Sequence, residues 1–335
     1  MRAVVVIPTL NACGLLAEAV ASIEAQTVPV EIIVVDNASS DGTLQMLTTR
    51  FPRVTAVRNT ENQGFGRAVN RGAAEARNAD VIILVNNDAV CAPDFVARLL
   101  MPFADPSVGM VAGVLLQGAV PDLIDSAGIE LDTTLGSWDY LWNRPVSALA
   151  AAHDPVGPCG GAAAYRLPVF RELGGFDEVL FAYWEDVDLA LRFRDAGWQC
   201  VLAPGARALH KHGQTLGAAS PAARRLEAFG RGYMLAKYRV GGRSPLRWAK
   251  IAALDWPVLA VHLVLRREAG PARERLRARS LGLRTPSRRV PLELATVGFG
   301  TALRRQADLL RLRFAGALPA HFTHHARADS GRRKR

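Results

Sequence analysis

Lysine is nearly missing from this chain. Only Lys211, Lys237, Lys250 and Lys334 occur among the 41 Lys and Arg of its 335 residues, so arginine carries the basic character. Cysteine is sparse too: Cys13, Cys91, Cys159 and Cys200 stand far apart and no two form a CxxC pair. That spacing excludes a zinc ribbon and a disulfide framework, and leaves reduced thiols as the expectation. Long apolar runs are also lacking. No stretch reaches the roughly 18–20 uninterrupted apolar residues of a spanning helix. The nearest, Ile251–Leu265 (IAALDWPVLAVHLVL), is interrupted by Asp255 and Pro257. The opening MRAVVVIPTL has one Arg and a short apolar run ending at Pro8, which reads as a strand and not as a targeting signal. No internal repeat is visible.

What is abundant is positive charge, and it is lopsided. The chain carries a formal +10, which at face value suits nucleic acid or an anionic membrane surface. Residues 1–220 hold 15 basic and 24 acidic side chains, net −9, whereas 221–335 hold 26 and 7, net +19. The basic character belongs to one end. With 50% hydrophobic and 21% charged residues the chain is globular and not disordered, and its length allows roughly two domains.

The first hundred residues alternate between two periods. Val4–Ile7, Ile32–Val35 and Val81–Val85 are short apolar runs, as expected of parallel strands buried on both faces, and Val54–Val57 reads as the third strand in the series. Between them Leu15–Gln26, Thr43–Arg50 and Arg67–Arg77 carry helical spacing, with Ser40 or Asp41 placed to cap the second. Such alternation implies βαβ units and an open sheet. Further on, Val111–Leu116 and Gly157–Arg166 read as strands, Leu167–Leu173 as a short helix closed by Gly174 and Gly175, and Gly118–Asn143 as irregular. From about residue 221 helical spacing dominates, with Pro245, Pro257, Pro271 and Pro286 expected to cut it into short helices. The tail 326–335 is expected to be disordered.

In open α/β sheets ligands bind beyond the carboxyl ends of the strands. Here those ends read PTLNA, DNASSDG, NTENQGFG and NNDA. Asp36 and Asp41 suit either a base or ribose contact or an Asx turn. Asp88, closing VNND, suits either a turn or a hard divalent cation shared with diphosphate oxygens. Gly64-Phe-Gly66 begins like a dinucleotide fingerprint. It lacks the third glycine and follows the third strand, so dehydrogenase chemistry is excluded. In FAYWEDVDLALRFR, Glu185, Asp186 and Asp188 open a helix behind Tyr183 and Trp184. Capping needs one or two acids there, and a carboxylate held beside aromatics can be tuned as a general base. Trp138, Tyr140 and Trp142 suit packing or stacking on a sugar ring. His210 and His212 are weak metal candidates taken alone.

The motifs VVIPTLNA, VVDNASSDGT, ENQGFGRAVNRG, LVNNDA, GGFDEVLFAYWEDVDLALRFRDAGW and HKHGQTLG occur in that order. Together they resemble a family 2 glycosyltransferase of the rhamnosyltransferase-like subgroup, over about residues 3–240. The resemblance implies an α/β, GT-A, Rossmann-like fold: a mostly parallel sheet with helices on both faces, followed by a basic helical C-terminal region. It implies a glycosyltransferase domain over 1–220, with a nucleotide-binding half to about 105 and an acceptor half over 106–220, then a basic helical region over 221–325. It also implies transfer of a rhamnose-like sugar or hexose, with inversion, from a nucleotide-diphosphate donor to a hydroxyl of a glycan or lipid-linked acceptor, with Mg²⁺ or Mn²⁺.

Carried over residue by residue, Pro8, Thr9 and Asn11 line the nucleotide pocket and Asp36 meets the base. Asn62, Gly64, Arg67 and Asn70 shape the ribose and diphosphate site. Asn86-Asn87-Asp88 stands in the place of the family's DxD, with Asn87 on the donor and Asp88 on the metal. Glu185-Asp186 matches the family's ED pair, with Asp186 as the base. His210 matches a histidine that completes the metal site in some members. Trp138, Trp142 and Trp184 are the expected acceptor contacts. Arg231-Gly232 stands where many relatives have Arg-Asn. The competing classes are a sugar-phosphate nucleotidyltransferase, which would want a basic loop after the first strand where TLNACGLLAEA has none, and a non-catalytic nucleotide-sugar binding module.

The basic end has three readings. Residues 240–280 lie as amphipathic helices on an anionic bilayer, they reflect an Arg-rich bias in a solvated or oligomer-forming region, or they bind nucleic acid. The last lacks any reader motif and is not expected. The expected location is cytoplasmic, peripheral on the inner face of the membrane.

Overall fold

The computed structural model describes residues 1–211, 220–242, 244–286 and 292–314. His212 and the tail 326–335 lie outside the described residues. The chain divides into two compact units.

The first unit holds 1–131 and 137–211, with 292–296. Its elements begin β1 (Ala3–Thr9), α1 (Cys13–Glu24), β2 (Glu31–Asp36), α2 (Thr43–Arg50), β3 (Thr55–Arg58), α3 (Phe65–Glu75) and β4 (Val81–Val85). They continue β5 (Ala89–Cys91), α4 (Phe95–Leu100), β6 (Val108–Gln117), β7 (Ile124–Ser126), β8 (Ile129–Leu131) and β9 (Ser137–Asp139). Last come β10 (Ala162–Arg166), α5 (Leu167–Glu172), α6 (Glu185–Asp195) and β11 (Gln199–His210).

The apolar runs of β1 and β4 are buried along their whole length, as strands covered on both faces must be. Alternate residues face opposite layers. Val5 and Ile7 join a cluster with Leu16, Val20 and Ile23 of α1. Val4 and Val6 join another with Ala68, Val69 and Ala73 of α3. Each such aliphatic side chain contributes about 1.5–3 kcal/mol on burial.

The strand order is β3-β2-β1-β4-β10-β6-β11-β5, with β7 on β6. β1 to β4 are mutually parallel and β11 is parallel to β6. β10 runs antiparallel between β4 and β6, and β5 runs antiparallel to β11. The sheet is therefore mixed where the sequence predicts it mostly parallel. The reversal has a use. Ala162 pairs with Val85, so Gly160 and Gly161 enter β10 at the edge where β4 ends, and His210 ends β11 at that same edge.

Two segments differ from expectation. Gly118–Asn143 is not irregular: it contains β7, β8 and β9, each of three residues, too short to show a period. β11 goes unread because Pro204 and Gly205 break its pattern; a register shift between Leu202 and Arg207 absorbs them.

The second unit holds the turn Asp132–Gly136 and α7 (Pro221–Lys237), α8 (Pro245–Ala260), α9 (Gly270–Arg284) and α10 (Phe299–Phe314). Ser220 and Ser244 cap α7 and α8, each followed by Pro at the first helical position. Pro257 was expected to end a helix. Instead it lies inside α8, which runs on through a π turn over Val261–Leu265 to make 21 residues, with a mean hydropathy of 1.4 over the most apolar 18 of them. By length and composition that helix could cross a membrane. Asp255 in its middle is paired, however, with Arg231 at 3.3 Å and with Arg275. Arg231, buried in α7, also donates to the Thr134 carbonyl at 2.7 Å.

Candidate active site

Four strand ends are laced into one polar edge. The Asn37 N–H donates to the Thr9 carbonyl at 2.8 Å, and Asn87 Nδ2 donates to Thr9 Oγ1 at 3.0 Å. Asn59 Nδ2 donates to Asn37 Oδ1 at 2.6 Å, and Asn37 Nδ2 to the Gly64 carbonyl at 3.2 Å. Asn11, with φ 48°, accepts the Ser40 N–H at 2.8 Å. Asp36 is fully buried, and both its oxygens accept the Ser39 N–H, at 3.1 and 3.2 Å. Pro8, Thr9, Asn11, Asp36 and Asn87 are thus brought together. Asn37 and Asn59, which tie the ends to one another, are missed by sequence reasoning. Amides at strand ends look like ordinary turn residues.

At the end of β4, Asp88 Oδ1 lies 3.1 Å from His210 Nε2, and Asn86 Nδ2 lies 3.2 Å from the same nitrogen. The other ring nitrogen, Nδ1, is 2.8 Å from Asp125 Oδ2. Asp88, Asp125 and His210 are all buried. Burial alone would lower the histidine pKa. The hydrogen bonds and charges of Asp125 and Asp88 outweigh it and push it up to about 10. The Asp88–His210 pair fits a divalent cation. Two ligands about 2.1 Å from an octahedral ion and at right angles are themselves about 3.0 Å apart. Among the described residues no three His, Cys, Asp or Glu close a metal cage, so water and phosphate oxygens would complete the shell.

The other pole is the start of α6. Tyr183 and Trp184 are both left-handed, with φ 68° and 75°, a conformation costing about 1–3 kcal/mol per residue. Glu185 is buried, and its Oε2 has no hydrogen-bond partner among the described residues. Half-buried Asp186 accepts the Gly160 N–H at 3.3 Å and its neighbour Val187's N–H at 2.8 Å. Desolvation raises the pKa of both carboxyls, and the charge of Asp186 raises that of Glu185 further. Asp188, the third acid, is structural: it pairs with Arg192 at 2.8 Å, and Arg192 holds the Leu173 and Gly175 carbonyls.

Backbone contacts bring the two poles together. The Phe65 N–H donates to the Phe181 carbonyl at 2.8 Å. Gly64 has φ 85°, and a Cβ on it would stand 2.2 Å from that carbonyl oxygen, so only glycine fits. The Asn86 N–H donates to the Gly161 carbonyl at 3.3 Å. The path from Asp88 to Asp186 therefore runs through Asn86, Gly161 and Gly160.

Three expected donor residues serve loop geometry here. Asn62 accepts the Gly64 N–H at 3.0 Å. Asn70 accepts the Phe176 N–H at 2.8 Å and returns Nδ2 to its carbonyl at 2.9 Å. Arg67 is exposed and lies 3.3 Å from Glu178. Trp138 and Trp142 are half-buried on and after β9, and Trp184 adjoins the carboxylate pair. Tyr140 is packed inward, stacked on His153 at 4.5 Å.

The profile described as Glycosyl transferase family 2 matches residues 4–174. The chain is 31% identical to the N-acetylglucosaminyl-diphospho-decaprenol L-rhamnosyltransferase of Mycobacterium tuberculosis, over 74% of this chain and 87% of that protein. It is 28% identical to an O-antigen chain rhamnosyltransferase of Salmonella typhimurium, over 64% and 68%. The fold resembles a mannosyltransferase of Pyrobaculum calidifontis in complex with GDP-Man and Mn²⁺ (TM-score 0.54, 20% identity, 96% of this chain and 84% of that one). It also resembles GalNAc-T7 with UDP, GalNAc and Mn²⁺ (TM-score 0.55, 19% identity, 74% and 53%). The mixed sheet with helices on both faces is the GT-A fold, and the chain belongs to glycosyl transferase family 2.

Proposed function

We propose that this glycosyltransferase moves a rhamnose-like deoxyhexose from a nucleotide-diphosphate donor to a hydroxyl of a lipid-linked glycan, with inversion, in cell-surface polysaccharide synthesis. The observation that carries the reading is the pairing of two poles across Asn86, Gly161 and Gly160: Asp88 with His210 on one side, Asp186 with Glu185 on the other. The strand-end edge over 1–105 binds the nucleotide. Asp186, its basicity increased by burial, removes the acceptor proton as the hydroxyl oxygen attacks the anomeric carbon. The sugar–phosphate bond breaks with its electron pair on the diphosphate. One base on the acceptor side and direct displacement give inversion. Asp88 and His210 would hold a divalent cation, Mg²⁺ or Mn²⁺, whose charge would stabilise the leaving diphosphate. Rhamnose is favoured because two relatives are named rhamnosyltransferases, and a lipid diphosphate acceptor because one of them is named for N-acetylglucosaminyl-diphospho-decaprenol.

Residues 240–280 hold the enzyme at the inner face of the membrane. Helix α8 and its π turn present Leu246, Trp256, Leu263 and Val264 outward, with Trp256 69% and Val264 68% exposed. Ile251, Leu254 and His262 are the buried side. The ion pairs of Asp255 suit a helix lying along the bilayer surface and not across it. The test is turnover by the full chain of dTDP-rhamnose, UDP-galactose, UDP-glucose and GDP-mannose, with a polyprenyl-diphosphate-linked N-acetylglucosamine acceptor. Metal-dependent transfer from dTDP-rhamnose supports the proposal; turnover of a hexose donor alone redirects it; no turnover of any donor contradicts it.

A further inference from the structure

We propose that Asp125 is a positioning residue that orients His210 toward the divalent cation, an inference resting on the assignment of Asp88 and His210 above. Asp125 lies on β7 and is 5% exposed. The pairing of β6 with β7 passes from Leu115 opposite Ser126 to Leu116 opposite Ile124. Asp125 is therefore the extra residue of a bulge. Bulges beside active sites re-aim a side chain, and this one puts Oδ2 2.8 Å from His210 Nδ1.

The chemistry follows from what each group can do. A carboxylate only accepts hydrogen bonds, so Asp125 favours a proton on Nδ1. Nε2 lies 3.1 Å from Asp88 Oδ1; a cation entering there would displace the Nε2 proton and leave the Nδ1 proton on Asp125. A carboxylate behind a metal-binding histidine fixes its tautomer and ring orientation and increases its basicity. The backbone of His210 is already fixed, opposite Gln117 of β6 and Ala89 of β5. What the backbone leaves open is rotation of the ring, and Asp125 restrains it from the side away from Asp88 and Asn86. Asp125 stands 85 residues from His210 in sequence, and LIDSAG carries no motif to mark it.

The test is binding of Mn²⁺ alone to the full chain, followed by calorimetry and by electron paramagnetic resonance. Nitrogen-15 shifts of the His210 imidazole in the Mg²⁺-loaded chain report the tautomer in parallel. Asp125→Ala is expected to weaken Mn²⁺ binding about 10–100-fold and to shift His210 toward a mixture of tautomers. Asp125→Asn, which retains an acceptor but loses the charge, is expected to weaken it less. A folded Asp125→Ala chain with unchanged Mn²⁺ affinity overturns the proposal. Should Asp125→Ala fail to fold, unchanged Mn²⁺ affinity and unchanged imidazole shifts in Asp125→Asn overturn it instead. Asp88→Ala and His210→Ala locate a failure. If they also leave affinity unchanged, the metal pair itself is wrong; if affinity falls only in them, the Asp125 role alone is wrong.

Discussion

Glu185 is buried beside a second carboxylate, with one oxygen unpartnered among the described residues. Burial first, and the charge of Asp186 second, hold its pKa well above the usual carboxyl range. A raised carboxyl favours the folded state when protonated. Its contribution is fully present below the unfolded pKa and is lost as pH rises through the folded one. Glu185→Gln should therefore raise the melting temperature at about pH 8 and change it little at about pH 4. A melting temperature lowered at the higher pH would show that the charge is stabilised and not strained. Asp186 and Asp88 are singled out in the sequence because a helix begins at one and a strand ends at the other, whereas His210 is singled out only by the resemblance, its strand being unread. Asp125, Asn37 and Asn59 are not, because their importance lies in partners distant along the chain. Likewise Asn62 and Asn70 fall within the right motif, yet their side chains hold loops that the motif does not describe.

At the scale of elements, the site depends on α6 being seated against the loop that starts α3. Gly64 is the contact, left-handed and with no room for a Cβ. Gly64→Ala should cost at least the roughly 1–3 kcal/mol of a strained backbone conformation. Chemical denaturation should read this as a lowered midpoint, and donor turnover should fall with it as Phe181 and α6 are pushed away. An unchanged midpoint would mean that the loop is not held there. The alternation of β1 to β4 with helices is plain in the sequence because β1, β2 and β4 are apolar runs between polar ends, while β3 (TAVR) is a short, largely exposed edge strand. The later strands are hidden for separate reasons. β7, β8 and β9 are too short to show a period. β10 gives no sign of its direction, since a reversed strand has the same alternation. Proline also misleads: Pro245 and Pro271 open helices as expected, whereas Pro257 is carried inside one that continues through a π turn.

For the whole molecule, the +10 of the chain divides into an acidic portion and a basic one. A domain of net −9 that binds a polyanionic donor needs a countercharge, which is one physical reason for a divalent cation at Asp88. The basic helices are then read as bearing on location. Replacing Trp256, Leu263 and Val264 together by Glu should move the full chain from pellet to supernatant in sedimentation with phosphatidylglycerol-containing liposomes, with turnover of a water-soluble acceptor kept. Equal sedimentation of variant and wild type would remove the membrane role of α8. The central claim is that Asp186 is the base of an inverting sugar transfer. Its most direct test is the transfer rate of Asp186→Asn against wild type, with donor affinity measured on the same preparations. The expected result is a rate lower by about 10²–10⁴-fold with donor affinity unchanged; near-normal transfer by the variant would contradict it.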